Sequence, residues 1–213
     1  MIQINKITEV KNYLDGLEAV VFDLDDTLYS EKEYVRSGYR EVAKLLSEIQ
    51  NTEEKMWSFF EQGFPAIDKL LETEGISSDV IKQKCVQTYR NHIPEIHLYD
   101  GVHELLISLR KNGYKLGIIT DGRPEGQRAK IKALGLGDYV DRIIITDELG
   151  GPQFRKPNSK AFVLMKECLK VPYERMCYVG DNVRKDFIVP EKLKMKSIWF
   201  QNEDGLYNDV SLV

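Results

Sequence analysis

Cysteine is scarce in this chain: Cys85, Cys168 and Cys177 are an odd number with no CxxC spacing. That leaves no disulfide framework to read and points to reduced, structural thiols. Cys177 lies in the apolar run Met176 to Val179, and Cys168 lies on a helical stripe with Leu164 and Met165. Histidine is as scarce, and His92, His97 and His103 fall five and six residues apart. No two of them share a helical face, so a metal site built from them would need tertiary coincidence. No apolar run approaches the roughly 18 residues that a membrane-spanning helix needs. Met1 to Lys11 alternates polar and apolar residues without a signal-peptide core, so the expected location is the cytoplasm. Neither sign of charge dominates: 30 basic residues stand against 34 acidic ones, a net charge of −4, which argues against a nucleic-acid surface. Repeats, low-complexity tracts and long linkers are absent as well.

What is present is a 213-residue chain with 42% hydrophobic residues, enough for one large domain or one domain carrying a sizeable insertion. Short apolar runs at Ala19 to Phe22, Lys115 to Thr120, Arg142 to Thr146, Met176 to Val179 and Lys196 to Phe200 read as buried parallel strands. Helical periodicity fills the gaps at Val102 to Asn112, Gly126 to Leu134, Ser159 to Leu169 and near Val189 to Leu193. Gly113, Gly135 and Gly137 stand where helices end and a left-handed residue is wanted. Strand and helix alternating with short connections predict an α/β fold with a doubly wound, Rossmann-like parallel sheet.

One segment breaks the alternation. From Ser30 to about His97 no strand is evident, and at least three helical patterns occur. Val35, Tyr39, Val42, Leu45, Leu46 and Ile49 form one stripe; Met56, Trp57, Phe60, Phe64, Ile67, Leu70 and Leu71 form another, with a break or kink at Pro65. Ser77 or Ser78 can cap a third helix carrying Val80, Ile81, Cys85 and Tyr89. Residues 30–97 are therefore expected to form an inserted α-helical bundle, a cap over the strand ends. Residues 1–29 and 98–213 are expected to form the core domain. The apolar residues Ile2, Ile4, Ile7 and Val10 would cover the sheet edge or contact another protein.

Parallel sheets place their ligand sites beyond the carboxyl ends of the strands. Reading each strand to its end gives Asp23 and Asp25, then Thr120 and Asp121, then Asp147, then Asp181 with Asp186, while Lys156 follows the third strand. Several carboxylates facing one crevice raise one another's pKa. A divalent cation relieves that repulsion and creates a seat for a phosphate. Spacing and topology alone thus point to metal and phosphate.

The stretch Val20-Val21-Phe22-Asp23-Leu24-Asp25-Asp26-Thr27 resembles the first motif, DxDx[TV], of the haloacid dehalogenase-like hydrolase superfamily. Ile118-Ile119-Thr120-Asp121-Gly122 resembles its second motif, Lys156-Pro157 its third, and Gly180-Asp181-Asn182-Val183-Arg184-Lys185-Asp186 its fourth, GDxxxxD. All four occur in order, each after the right element.

The resemblance implies roles. Asp23 would be the nucleophile, forming an aspartyl-phosphate, and Asp25 the general acid and base. Thr120, the backbone of Asp121 and Gly122, and Lys156 would bind the phosphate. Mg2+ would be held by Asp23, the main-chain carbonyl of Asp25, and Asp181, with Asp186 acting from behind. On the residues alone, Asp186 could equally cap or pair with Arg184 or Lys185. Asp26, Asp147, Arg155 and Arg123 are assigned to structure or solvent. Position 121 is often asparagine in the family, so the Asp121 side chain is expected to turn away from the phosphate.

Dehalogenases of this family typically lack the second aspartate, and Asp25 is present. The expected activity is a Mg-dependent phosphatase acting on a small phosphorylated metabolite. A phosphomutase, or a non-catalytic module on a retained scaffold, is the alternative reading. The charge balance and the lack of a long apolar run argue against a nucleic acid or membrane partner, and a protein partner is left open.

Overall fold

The computed structural model describes residues 1–206; the expected core segment 98–213 runs past them. The chain divides into two compact units, one of Met1–Glu31 with His97–Val213 and one of Lys32–Ile96.

The first unit carries six strands: β1 (Ile2–Ile4), β2 (Ala19–Phe22), β3 (Lys115–Thr120), β4 (Arg142–Ile145), β5 (Met176–Gly180) and β6 (Lys196–Phe200). They form one sheet in the order β1-β6-β5-β2-β3-β4, with every pairing parallel. After β2 the chain builds outward through β3 and β4, then returns to the other side of β2 with β5. The reversal makes β2 and β5 the switch point, where a crevice opens at the carboxyl ends. In register, Phe22 stands beside Ile118 on one side and Val179 on the other.

Every residue of β2 and β5 is buried, as a sheet covered on both faces requires. Val21, Ile119, Phe162, Met165 and Tyr178 belong to one apolar cluster of this unit. Truncating a residue such as Phe162 to Ala would cost about 3–5 kcal/mol. Gly117 in β3 admits a close neighbour: a Cβ there would meet Met165 Sδ at 2.6 Å.

The N-terminal segment, which the sequence leaves between two readings, is part of this unit. β1 adds to the sheet as an edge strand beside β6, and Ile4, Ile7 and Val10 are buried.

The second unit is helical: α1 (Glu31–Leu45), α2 (Thr52–Glu61), α3 (Ala66–Thr73) and α4 (Asp79–Asn91). The single stripe expected through Pro65 is two helices. Gly63, at φ 78, ends the first, and Pro65 precedes the second with extended backbone. Ser78 caps α4, its hydroxyl accepting from the Ile81 amide at 3.4 Å. Val35, Tyr39, Val42, Met56, Leu70 and Cys85 build this unit's own core. Leu45 and Phe64, placed on the same stripes by periodicity, are instead exposed.

The remaining helices return to the first unit: α5 (Val102–Lys111), α6 (Pro124–Ala133), α7 (Lys160–Leu169) and α8 (Ile188–Lys192). Proline opens α6, where its missing N–H costs nothing. Gly113, at φ 84, closes α5, and the next amide, of Tyr114, reaches back to the Leu109 carbonyl at 3.1 Å. Gly135 also has a left-handed backbone; Gly137 does not. Among the described residues no helix is long and apolar enough to cross a membrane.

Candidate active site

Asp23 leaves β2 directly into the switch-point crevice, its amide donating to the Val179 carbonyl of β5 at 2.8 Å. Its carboxylate is only 2% exposed and needs a charged partner to be tolerated there. Lys156 is that partner, with Nζ 2.7 Å from Asp23 Oδ1. The same ammonium lies 2.8 Å from Asp186 Oδ1 and donates to the Tyr178 hydroxyl at 2.9 Å. Asp186 is fully buried and also accepts from the Asn182 amide at 3.0 Å, which closes the loop after β5. Asp186 thus makes both a buried ion pair with Lys156 and a local contact within its own loop.

Asp181 lies across the crevice. Its carboxylate accepts from Thr27 Oγ1 at 3.2 Å, and its main-chain carbonyl accepts from the Trp199 indole at 2.9 Å. Carboxylate oxygens of Asp23, Asp181 and Asp186 all lie within 4.8 Å of one another. Burial raises the Asp23 carboxyl to about 6; Lys156 opposes that rise and Asp186 reinforces it. Asp181 is pushed to about 9 by burial first and then by the charges of Asp23 and Asp186. Burial works against the Lys156 ammonium, but Asp186 and Asp23 together hold its pKa well above the usual value. The cluster therefore has more negative charge than its lysine relieves. A hard divalent cation with oxygen ligands fits such a donor set.

The Asp25 side chain stands outside this triad. Its Oδ1 accepts from Lys130 Nζ at 2.6 Å and from the Tyr29 hydroxyl, and its Oδ2 accepts from Gln127 Nε2 at 2.8 Å. Burial alone would push this carboxyl up, but the Lys130 charge and the three hydrogen bonds outweigh it and hold it below the ordinary range. Gln127 also donates to Thr120 Oγ1, so Thr120 and Asp25 share one amide.

Asp121 is tied down on three sides. Its carboxylate accepts from Thr146 Oγ1 at 2.9 Å and the Lys156 amide at 3.0 Å, and lies 3.4 Å from Lys185 Nζ. Gly122, at φ 135, sits where a Cβ would crowd Gln127 at 3.3 Å. Asp147 and Arg155 form a bidentate pair with both contacts at 2.7 Å, and Arg123 lies 3.8 Å from Glu125. Asp26 is fully buried with φ 53, and its carboxylate accepts from the Glu31 and Leu206 amides, each at 2.8 Å. Of the two assignments open to it, structure is the one observed.

Lys130, Gln127 and Tyr29 are polar groups of this site that lie outside the four motifs. One signal was available for two of them. The helical positions 127, 130, 131 and 134 form one stripe, and it reads Gln, Lys, Ile, Leu. Polar residues on a stripe that faces a core call for partners.

A family model described as haloacid dehalogenase-like hydrolase matches residues 17–189. The glyceraldehyde 3-phosphate phosphatase of Methanocaldococcus jannaschii is 27% identical over 219 residues, covering 92% of each chain. The phosphoglycolate phosphatase of Rhodobacter capsulatus is 29% identical, covering 77% of this chain and 75% of its own. Among solved structures, a predicted phosphoglycolate phosphatase from Haemophilus somnus superposes with a TM-score of 0.65 at 18% identity, covering 92% of this chain and 90% of its own. That likeness carries the fold. With the family model spanning strands β2 to β5 and all four motifs, the chain belongs to the haloacid dehalogenase-like hydrolases.

Proposed function

We propose that this hydrolase is a magnesium-dependent phosphatase of small phosphomonoesters that works through an aspartyl-phosphate on Asp23. The observation that carries the reading is the Asp23 carboxylate, buried at the switch point and held 2.7 Å from the Lys156 ammonium. A buried carboxylate with fixed orientation and little hydration suits in-line attack on phosphorus. The relatives named for glyceraldehyde 3-phosphate and phosphoglycolate support a small substrate.

In this reading an Asp23 oxygen bonds to phosphorus as the ester P–O bond breaks, and Asp25, which must take up a proton before this step, gives it to the departing oxygen. Water then attacks the phosphoryl group while Asp25 takes a proton from it, and Asp23 leaves as the carboxylate. Thr120 donates its hydroxyl hydrogen to a phosphoryl oxygen, and Lys156 offsets the charge of nucleophile and phosphate. Backbone amides of Asp121 and Gly122 complete the seat. The Asp121 side chain, engaged by Thr146 and Lys185, is kept from repelling the phosphate. Asp23, Asp181 and the Asp25 main-chain carbonyl would hold magnesium, with Asp186 positioning Lys156. When bound, the ion supplies charge neutralisation that lets the phosphate dianion approach two carboxylates.

The test is phosphate release from 4-nitrophenyl phosphate with magnesium and with chelator, for wild type and Asp23→Asn. Magnesium-dependent release that is lost in the variant is the expected result. Release that survives Asp23→Asn, or that ignores chelation, would sink the reading.

A further inference from the structure

Strand β6 and the turn after it, residues 196–206, carry none of the four motifs and lie past the residues that the family model matches. Both loops of the magnesium site are nevertheless bonded to them. The Trp199 indole donates to the Asp181 main-chain carbonyl at 2.9 Å. Asn202 is 9% exposed, and its Nδ2 donates to the Asp26 main-chain carbonyl and to the Tyr99 hydroxyl, each at 2.8 Å. Its Oδ1 accepts from the Asp204 amide and its carbonyl from the Gly205 amide, both at 3.1 Å, which turns the chain back. The Leu206 amide then donates to Asp26 Oδ2 at 2.8 Å. One short segment thus grips the loop after β2 at Asp26 and the loop after β5 at Asp181.

We propose that residues 199–206 are a strap that sets the geometry of the magnesium site, with Trp199 and Asn202 as its positioning residues. The proposal rests on the magnesium site of the function proposed above and adds the element that aims its ligands. Asp26 stands at φ 53, a left-handed backbone that side-chain-bearing residues disfavour unless contacts hold it. Asn202 and the Leu206 amide are such contacts. The Asp25 carbonyl shares a rigid peptide plane with the Asp26 amide, so fixing Asp26 aims that carbonyl. Across the crevice, the Trp199 bond fixes the backbone that carries the Asp181 carboxylate. Thr27 joins the two loops directly, through Asp181 Oδ1 at 3.2 Å, and the strap joins them a second time from the end of β6. Magnesium tolerates little departure from octahedral geometry, so drift in either loop weakens binding.

Trp199→Phe keeps an aromatic ring and deletes the indole donor. Asn202→Leu keeps the branched shape and deletes the amide donor. Each should weaken magnesium binding about tenfold, the lower end for residues that orient metal ligands. Ile198→Val is the control, because Ile198 is a fully buried residue of the same strand that bonds to neither loop through its side chain. It should lower the melting temperature and leave magnesium affinity at the wild-type value. Trp199 also supplies a spectroscopic readout. The chain has two tryptophans, Trp57 and Trp199, so in Trp57→Phe the tryptophan emission comes from Trp199 alone. That emission should change on adding magnesium, since the indole is bonded to the Asp181 peptide.

The measurement is calorimetric titration of the full chain with magnesium and no substrate, with melting curves to establish that each variant is folded. Weaker binding in folded Trp199→Phe and Asn202→Leu, with Ile198→Val at the wild-type value, supports the proposal. Wild-type affinity in either strap variant overturns it and leaves the phosphatase reading intact. An equal loss in Ile198→Val overturns it too, because affinity would then follow stability alone. Should a strap variant fail to fold, the Trp57→Phe emission decides: a change with magnesium supports the proposal, and none overturns it. Wild type that binds no magnesium removes the magnesium site from the proposed function, and this proposal with it.

Discussion

A β-carbon placed on Gly180 would fall 2.5 Å from Oδ2 of Asp186. The glycine that ends β5 therefore leaves the space in which the buried Asp186 carboxylate reaches Lys156. Gly180 has no left-handed backbone to explain it. Its requirement is room.

Gly180→Ala is predicted to displace Asp186 from Lys156. Overpacking of this kind costs about 1–3 kcal/mol. At roughly 2–4 °C per kcal/mol for a chain of this size, the melting temperature should fall by several degrees. Phosphate release should fall further than that stability loss explains. An unchanged melting temperature and rate would show that the loop absorbs the methyl group.

The Lys156–Asp186 contact is predicted to be strongly coupled, because both side chains are fully buried. Lys156→Met should destabilise by about 3–5 kcal/mol, since it strands two carboxylates. Asp186→Asn should then cost less in the Lys156→Met background than alone, with a coupling of about 1–3 kcal/mol. Urea denaturation of the four proteins checks this; additive costs would contradict it.

Magnesium binding is predicted to release protons. Asp181 rises from 3.8 to about 9 through burial and its carboxylate neighbours, so at pH 7 the native protein holds a proton that the unfolded chain has lost. For a carboxyl raised in this way, the contribution to stability falls as pH climbs from about 4 toward 9, because the native state binds more protons throughout that window. A bound cation favours the ionised form and cancels the slope. Calorimetric titration of magnesium in buffers of different ionisation enthalpy should give about one proton released per ion at pH 7. Buffer-independent heats would refute it.

The thiols are predicted to divide two to one. Cys85 and Cys177 are completely buried, and burial pushes the Cys177 thiol up to about 12, while Cys168 is exposed. A thiolate-selective reagent should modify one cysteine in the native protein and all three after denaturation. Mass mapping should place the native label on Cys168. The stripe that puts Cys168 beside Leu164 and Met165 in sequence does not foresee this exposure.

The sequence by itself determined the sheet. Ala19 to Phe22 and Met176 to Val179 are apolar at every position because both faces of a central parallel strand are covered, and that pattern is local. It also placed Asp23 and Asp181 just past strand ends and Thr120 at the end of another, since a strand stops where its apolar run stops. The short β1 at the sheet edge was less legible, because three residues carry too little periodicity to separate pairing from packing. Tertiary structure alone decided which charges meet. Lys130 shares a helical stripe with Gln127, Ile131 and Leu134, but only the packing of α6 brings it to Asp25. Likewise Lys156 meets Asp23 and Asp186 from separate loops, brought together by the reversal of strand order at β2 and β5. Periodicity reports which residues share a face. It carries no information on which distant residue that face will find, because that choice is made by long-range packing and by the need of every buried charge for a partner.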